Sequence, residues 1–147
     1  VRIVLDTAVL VRSNDSSSGL ARQLLITLLK TGHTLVISGE MLHETARVLR
    51  YPRFQRFHSL TEDGIYQYIS FLRHVADLVT LDPTLIVPIR DVNDIIVAQT
   101  AILGEAAIIC TTDEDFYDPQ VRDFLSGFGI VVMNDVQLMH QMRNLTN

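Results

Sequence analysis

The residues of this sequence whose types and spacing could do chemistry are its carboxylates. Asp6 closes the run VRIVL, Glu44 lies in SGEMLHE, Asp94 in RDVNDIIVAQTA, and Asp113, with Asp115 beside it, in TTDEDF. The aspartates each have an ordinary explanation by themselves. Asp6 and Asp113 suit turns or helix caps, and Asp94 suits the first turn of a helix, where the dipole favours an acid. Together they are harder to dismiss. Three or four carboxylates brought within ~5 Å repel by roughly 1 to 4 kcal/mol per pair at a protein-surface dielectric, and a divalent cation removes the conflict. Magnesium or manganese takes oxygen ligands and keeps several waters, so an acid pocket lacking His and Cys suits these ions better than zinc. Such an ion polarises a phosphodiester, activates water and stabilises a leaving oxygen.

The elements that must position these acids follow from the apolar pattern. Val1 to Val11, VRIVLDTAVLV, lacks polar alternation and reads as a central strand covered on both faces, with Asp6 where that strand ends. Ser13 to Gly19 is a polar loop in which Ser17 or Ser18 can cap a helix carrying Leu20, Leu24, Leu25, Leu28 and Leu29, ended by Gly32. Thr34 to Ile37 is a second strand, and Ser38 caps a helix to about Leu49. On that helix Glu44 lies beside Met41 and Val48 at the border of the apolar face, whereas His43, Arg47 and Arg50 point to solvent. Thr61 starts a third helix to about Ala76, with Leu60 and Ile65 spaced as a hydrophobic staple.

Leu78 to Leu81 is a candidate edge strand, and Asp82 to Arg90, with Pro83 and Pro88, a connecting loop. Asp91 to Leu103 is helical, Asp94 sharing a face with Val97, Ala98 and Ala101, and Gly104 stops it. Ala107 to Thr111 is a strand, Pro119 to Leu125 a short helix, Ile130 to Met133 the last strand, and Asn134 or Asp135 caps a terminal helix fraying into Asn144 to Asn147. This alternation predicts an α/β fold, a three-layer α/β/α sandwich with a central parallel sheet, as one domain over 1–147. Asp6 and Asp113 then leave strand ends on one edge, where Glu44 and Asp94 lie on helices that begin there. The carboxyl edge is where open α/β sheets bind ligands.

Composition narrows the function classes. A net charge of −5 argues against a protein coated in basic residues for nonspecific nucleic-acid binding. Lys30 is nevertheless the only lysine among twelve cations, the rest being arginines suited to bidentate phosphate contacts, a bias that genome composition also produces. One cysteine, Cys110 beside Ile108 and Ile109, excludes an internal disulfide and a zinc cluster and suggests a buried thiol in a reducing compartment. No apolar run reaches the ~20 residues of a membrane span and no signal pattern opens the chain, so a soluble cytoplasmic protein is expected.

The ordered set Asp6 in VLDTAVLV, Glu44 in SGEMLHE, Asp94 in RDVNDIIVAQTA and Asp113 in TTDEDF resembles the PIN domain, particularly the toxin ribonucleases of bacterial toxin–antitoxin pairs. The resemblance spans Ile3 to about Val132, and its specificity lies in the order and spacing of the set. It implies a magnesium- or manganese-dependent endoribonuclease with Asp6, Glu44, Asp94 and Asp113 as catalytic, metal-binding acids. Asp91 and Asp115 would be supporting acids, and Thr7 and Thr111 would hold the carboxylates by hydrogen bonds. It also implies an RNA substrate, a small antitoxin partner and a homodimer. To the last the sequence adds Ile65, Tyr66, Tyr68, Ile69, Phe71 and Leu72, apolar around more of the third helix than one core face requires. One position departs from the family pattern: Ala8 stands where Asp-Thr-Asn has its Asn, a loss expected to loosen the acids about 10- to 100-fold in metal affinity.

A substrate path is also suggested. RYPRFQRFH, residues 50–58, interleaves Arg50, Arg53 and Arg56 with Tyr51, Phe54 and Phe57, and Arg12 lies just beyond the first acid; these arginines are candidates for RNA contact. The alternative is a helical connector with inward aromatics and solvated arginines. His43 and His58 read as surface residues, since in a metal site the ion activates the water. Rival classes lack their residues: a phosphoacceptor receiver needs a late Lys, a dinucleotide-binding domain a Gly-rich turn after the first strand, and a haloacid-dehalogenase-type phosphatase an Asp at position 8. The remaining alternative is a catalytically weak PIN fold serving as an RNA-binding or regulatory module.

Overall fold

Branched apolar residues that cannot satisfy a helix surface gather into five short strands, which form one all-parallel sheet in the order β3-β2-β1-β4-β5. The computed structural model describes residues 1–55 and 58–145. The strands are β1 (Arg2–Leu5), β2 (Thr34–Ser38), β3 (Asp77–Val79), β4 (Ile108–Cys110) and β5 (Val131–Met133). Ile3, Val4 and Leu5 of β1 are wholly buried, and Leu5 pairs in register with Cys110. The helices are α1 (Thr7–Arg12), α2 (Leu20–Lys30), α3 (Gly39–Leu49), α4 (Pro52–Gln55), α5 (Glu62–Val75), α6 (Val92–Leu103), α7 (Pro119–Ser126) and α8 (Asp135–Leu145). Helices on both sheet faces complete the three-layer α/β/α sandwich that the alternating pattern predicts. Among the described residues no helix is long and apolar enough to cross a membrane.

Several starts and stops follow the sequence signals. Ser38 Oγ accepts from the Met41 amide at 3.3 Å, Thr61 Oγ1 from Gly64 at 3.1 Å, and Asp91 Oδ1 from Asn93 at 2.9 Å. Between the two candidate caps of α8, Asn134 is the one used. Its side chain accepts from the Gln137 amide while Gln137 returns a bond to the Asn134 amide, a reciprocal box.

Two expectations change and one element is added. The opening strand ends at Leu5, just before Asp6 as expected, but Thr7–Arg12 continues as helix α1, whose first turn is closed by the Leu10 amide reaching the Asp6 carbonyl at 2.9 Å. Val9, Leu10 and Val11 are consecutive and all buried, so this short helix shows no clear apolar period although Ala8 and Arg12 are exposed. α2 takes Gly19 as its N-cap, since Ser17 Oγ instead accepts from the Gly19 amide at 3.2 Å. The edge strand is Asp77–Val79, displaced toward the end of α5 so that Val36 pairs with Asp77 and Ser38 with Val79.

Gly104 ends α6 where the helix presses on the sheet. A Cβ there would lie 2.4 Å from Val36 Cγ1 and 2.9 Å from Val79 Cγ2. Branched strand residues have no flexible end to move aside, so Gly104→Ala is expected to destabilise the protein by about 1 to 3 kcal/mol in urea unfolding. An unchanged midpoint would mean that α6 shifts freely on the sheet.

Candidate metal centre

The chain winds from β1 through β2 to β3 on one side, then crosses to β4 on the other, so the order of strand addition reverses between β1 and β4 while all strands stay parallel. In an open parallel sheet this switch point leaves a crevice at the carboxyl ends of the strands. Asp6 follows β1 there, and its amide bonds to the Cys110 carbonyl at 2.9 Å. Thr111, following β4, is fully buried; its hydroxyl donates to Asp6 Oδ2 at 2.6 Å and accepts from the Asp113 amide at 3.0 Å. One hydroxyl therefore fixes two acids from strands that are remote in sequence.

Asp113 in turn caps the short 3-10 turn Glu114–Tyr117 by accepting from the Asp115 amide at 2.9 Å. From the other side comes α6. Asp91 caps it, accepting from both Asn93 and Asp94, and Asp94 in its first turn is 6% exposed. Asp94, Asp113 and Asp115 each offer an oxygen, and these atoms lie within 4.8 Å of one another. Asp94 Oδ2 is buried and has no hydrogen-bond partner among the described residues.

Burial and then the charges of Asp113, Asp6 and Asp91 push the Asp94 carboxyl up to about 8. Burial also raises Asp6, against the Thr111 hydroxyl and the amides of Thr7 and Ala8, which favour its charged form. An all-oxygen set with an orphaned buried carboxylate oxygen fits a hard divalent cation, which would take the place of the absent donor. Asp94, Asp113 and Asp115 would hold it, with Asp6 alongside.

The other predicted site residues fall around this centre. Glu44 is drawn into a bidentate pair with Arg47, two bonds of 2.9 Å, and receives Asn93 Nδ2 at 3.4 Å, which leaves it outside the group sharing a 4.8 Å span. Thr7 makes no hydroxyl bond to an acid among the described residues; as the first residue of α1 it brings its main-chain amide. Arg12 pairs with Asp135 at 3.1 Å and Arg50 with Glu62 at 3.0 Å, so their charges are partly spent. Arg53 lies over the rings of Tyr51, at 5.9 Å, and Phe54, at 4.9 Å, and is exposed. Arg56 and Phe57 lie outside the described residues.

His43 is exposed as expected, whereas His58 is a half-buried structural residue. Its Nε2 bonds the Leu49 carbonyl at 2.8 Å and its Nδ1 accepts from the Leu60 amide at 3.1 Å, which fixes the tautomer. Sequence reasoning missed Asn93 and the hold of Arg47 on Glu44, although the i, i+3 spacing of Glu44 and Arg47 carried the signal for the second. It also missed a groove of about 470 Å³ lined by Ala8, Val11, Leu20, Val48, Phe54 and His58, which starts at the residue after Thr7.

Comparison with known proteins agrees with this architecture. The family described as PIN domain matches residues 2–115. A chain of the crystal structure of VapBC2 from Rickettsia felis bound to a DNA fragment from their promoter is similar in fold, with a TM-score of 0.60 and 14% identity, over 91% of this chain and 98% of that one. No curated protein matches.

The raised Asp94 carboxyl sets the sign of a pH effect. Folding stability linked to it is fully present below the unfolded value of 3.8 and is lost as pH rises toward about 8, because the folded state binds the extra proton throughout that window. The metal-free protein is therefore expected to lose melting temperature between these limits. Asp94→Asn, which removes the charge, should flatten the loss and melt at or above wild type near pH 8. Parallel melting curves of the two proteins across that range check this.

Proposed function

This chain belongs to the PIN domain family, and we propose that it is a divalent-metal-dependent endoribonuclease that hydrolyses RNA phosphodiester bonds as the toxin of a toxin–antitoxin pair. The observation that carries the reading is the Asp94 cluster at the sheet's switch point, with its buried Oδ2 that has no hydrogen-bond partner among the described residues. Mg2+ or Mn2+ bound there would supply charge to polarise the phosphodiester and acidify water. The chain's own residues do the positioning. Thr111 orients Asp6 and Asp113 across β1 and β4, Asp91 fixes the first turn of α6 and with it Asp94, and the exposed Asp115 adds a further oxygen. Residues 1–147 act as one domain, and the cytoplasm is its place of action.

The partners follow from the family and from exposed surface. Arg53 with Tyr51 and Phe54 offers guanidinium and ring faces to an unpaired strand, and Arg12, Arg50 and Arg56 complete the candidate RNA contacts. The similar structure is of VapBC2 bound to a promoter DNA fragment, which supports a small antitoxin as a second partner. On α5, Tyr66 is 71% and Phe71 38% exposed, and Leu78 on the neighbouring edge strand is 50% exposed, which supports a homodimer. Ala8 favours a second reading, a weakly active PIN fold that binds RNA or a regulator: the position beside Asp6 carries no side-chain amide to orient it.

Asp6→Asn and Asp94→Asn are each expected to abolish magnesium-dependent RNA cleavage by the purified protein; unchanged cleavage in both would remove these acids from the reaction. Ala8 is exposed, so an added amide has room. Ala8→Asn should strengthen metal binding and raise cleavage roughly tenfold, and side-by-side titration and cleavage assays on folded protein decide between the two readings. Light scattering at micromolar concentration should return the mass of two chains. A single-chain mass in the absence of any partner counts against the dimer.

A further inference from the structure

Arg47 and Glu44 lie one turn apart on α3, and the guanidinium grips the carboxylate with two bonds of 2.9 Å, Nε to Oε2 and Nη2 to Oε1. Asn93 Nδ2, 3.4 Å from Oε1, adds a donor from the first turn of α6, the residue before Asp94. Both Glu44 oxygens are thus taken. The acid is the covered member of the pair, 15% exposed, and the cation is the open one, 51% exposed and 5.4 Å from the Tyr51 ring. A pair within one helix whose cation is half exposed adds little to stability.

A guanidinium fork fits the oxygens of a phosphodiester as it fits those of a carboxylate. Resting on the ribonuclease reading, we propose that Arg47 is a positioning residue: its fork holds Glu44 off the Asp94 cluster in the free protein, and an RNA phosphate that takes the fork releases Glu44 to the cluster, tightening divalent-cation binding there. Asn93 marks the route, since Glu44 already touches the residue beside Asp94. Arg53, 5.9 Å from the Tyr51 ring and 4.9 Å from the Phe54 ring, adds a second guanidinium to the Tyr51 ring that Arg47 also approaches, and there the rest of an unpaired strand would lie. By linkage, RNA and the cation must then strengthen each other's binding by the same factor.

The test is calorimetric titration of magnesium into the full chain, alone and with a short single-stranded 2′-O-methyl phosphorothioate oligoribonucleotide shown by gel to be intact afterwards. Wild type, Arg47→Gln, Glu44→Gln and the double variant are compared, each checked for folding by circular dichroism. The oligonucleotide should raise the magnesium affinity of wild type by roughly fivefold or more. Arg47→Gln should bind magnesium tighter by a similar factor with no oligonucleotide, and the oligonucleotide should add nothing. In the Glu44→Gln background both effects should vanish. That arm separates the proposal from the mere loss of a positive charge, which would tighten magnesium binding with or without Glu44.

Wild-type affinity that ignores the oligonucleotide, or an Arg47→Gln gain that persists beside Glu44→Gln, overturns the proposal. If wild type binds magnesium and cleaves RNA in that case, the ribonuclease reading stands alone. A wild type that neither binds magnesium nor cleaves RNA overturns both.

Discussion

A carboxylate oxygen with no donor, packed beside other carboxylates, is the constraint on which the rest of this structure depends. Asp94 Oδ2 is buried and partnerless among the described residues, with Asp113, Asp6 and Asp91 all raising the cost of its charge. An unsatisfied buried polar atom costs about 1 to 3 kcal/mol, and burial with the neighbouring acids keeps the metal-free carboxyl protonated up to about pH 8. Nothing in the sheet requires this arrangement, and the core around it is well able to impose it. β1 and β4 pair through residues that are fully or nearly fully buried, and α6 presses Val97, Ala98 and Ala101 onto them with Gly104 at its end in close approach to Val36. Packing fixes where the backbone runs, and the acids go where the backbone takes them.

Thr111 shows how little is needed to order such a site. Its hydroxyl spends its proton on Asp6 and a lone pair on the Asp113 amide, while Tyr117 donates to its carbonyl at 2.7 Å. The cations keep to the periphery: Arg47 is on Glu44, Arg12 on Asp135 and Arg50 on Glu62. Among the described residues no ion pair neutralises the acids at the switch point, and a hard cation is the chemical species that answers that deficit. A site with this logic is strained when empty and relaxed when filled, which couples its chemistry to its stability.

Much of this was legible in the sequence, for reasons that differ by residue. Strand ends at Asp6 and near Asp113 follow from apolar runs that stop, and Ser38, Thr61 and Asp91 declare their helices because a cap needs a side-chain oxygen at one position only. The parallel sheet then places Asp6, Asp94 and Asp113 together without any knowledge of contacts. Local pattern fails where tertiary context decides. α1 is six residues long with three consecutive buried apolar side chains and so has no clear period, and the α2 cap went to Gly19 because Ser17 was spent on its own turn. His58 looks like a surface histidine until the Leu49 carbonyl and Leu60 amide are brought to it. Glu44 was placed correctly at the border of its helix face, but which of two neighbours claims it, Arg47 or the acid cluster, is a competition that spacing cannot settle.

The central claim, that the Asp94 cluster is a divalent-cation site, is tested most directly by anomalous diffraction from crystals soaked in manganese. The account predicts a peak at bonding distance from Asp94 Oδ2, roughly 2 to 2.5 Å, shared with Asp113 or Asp115. A manganese peak found only at other surface carboxylates, with Asp94 bare at saturating metal, would contradict it.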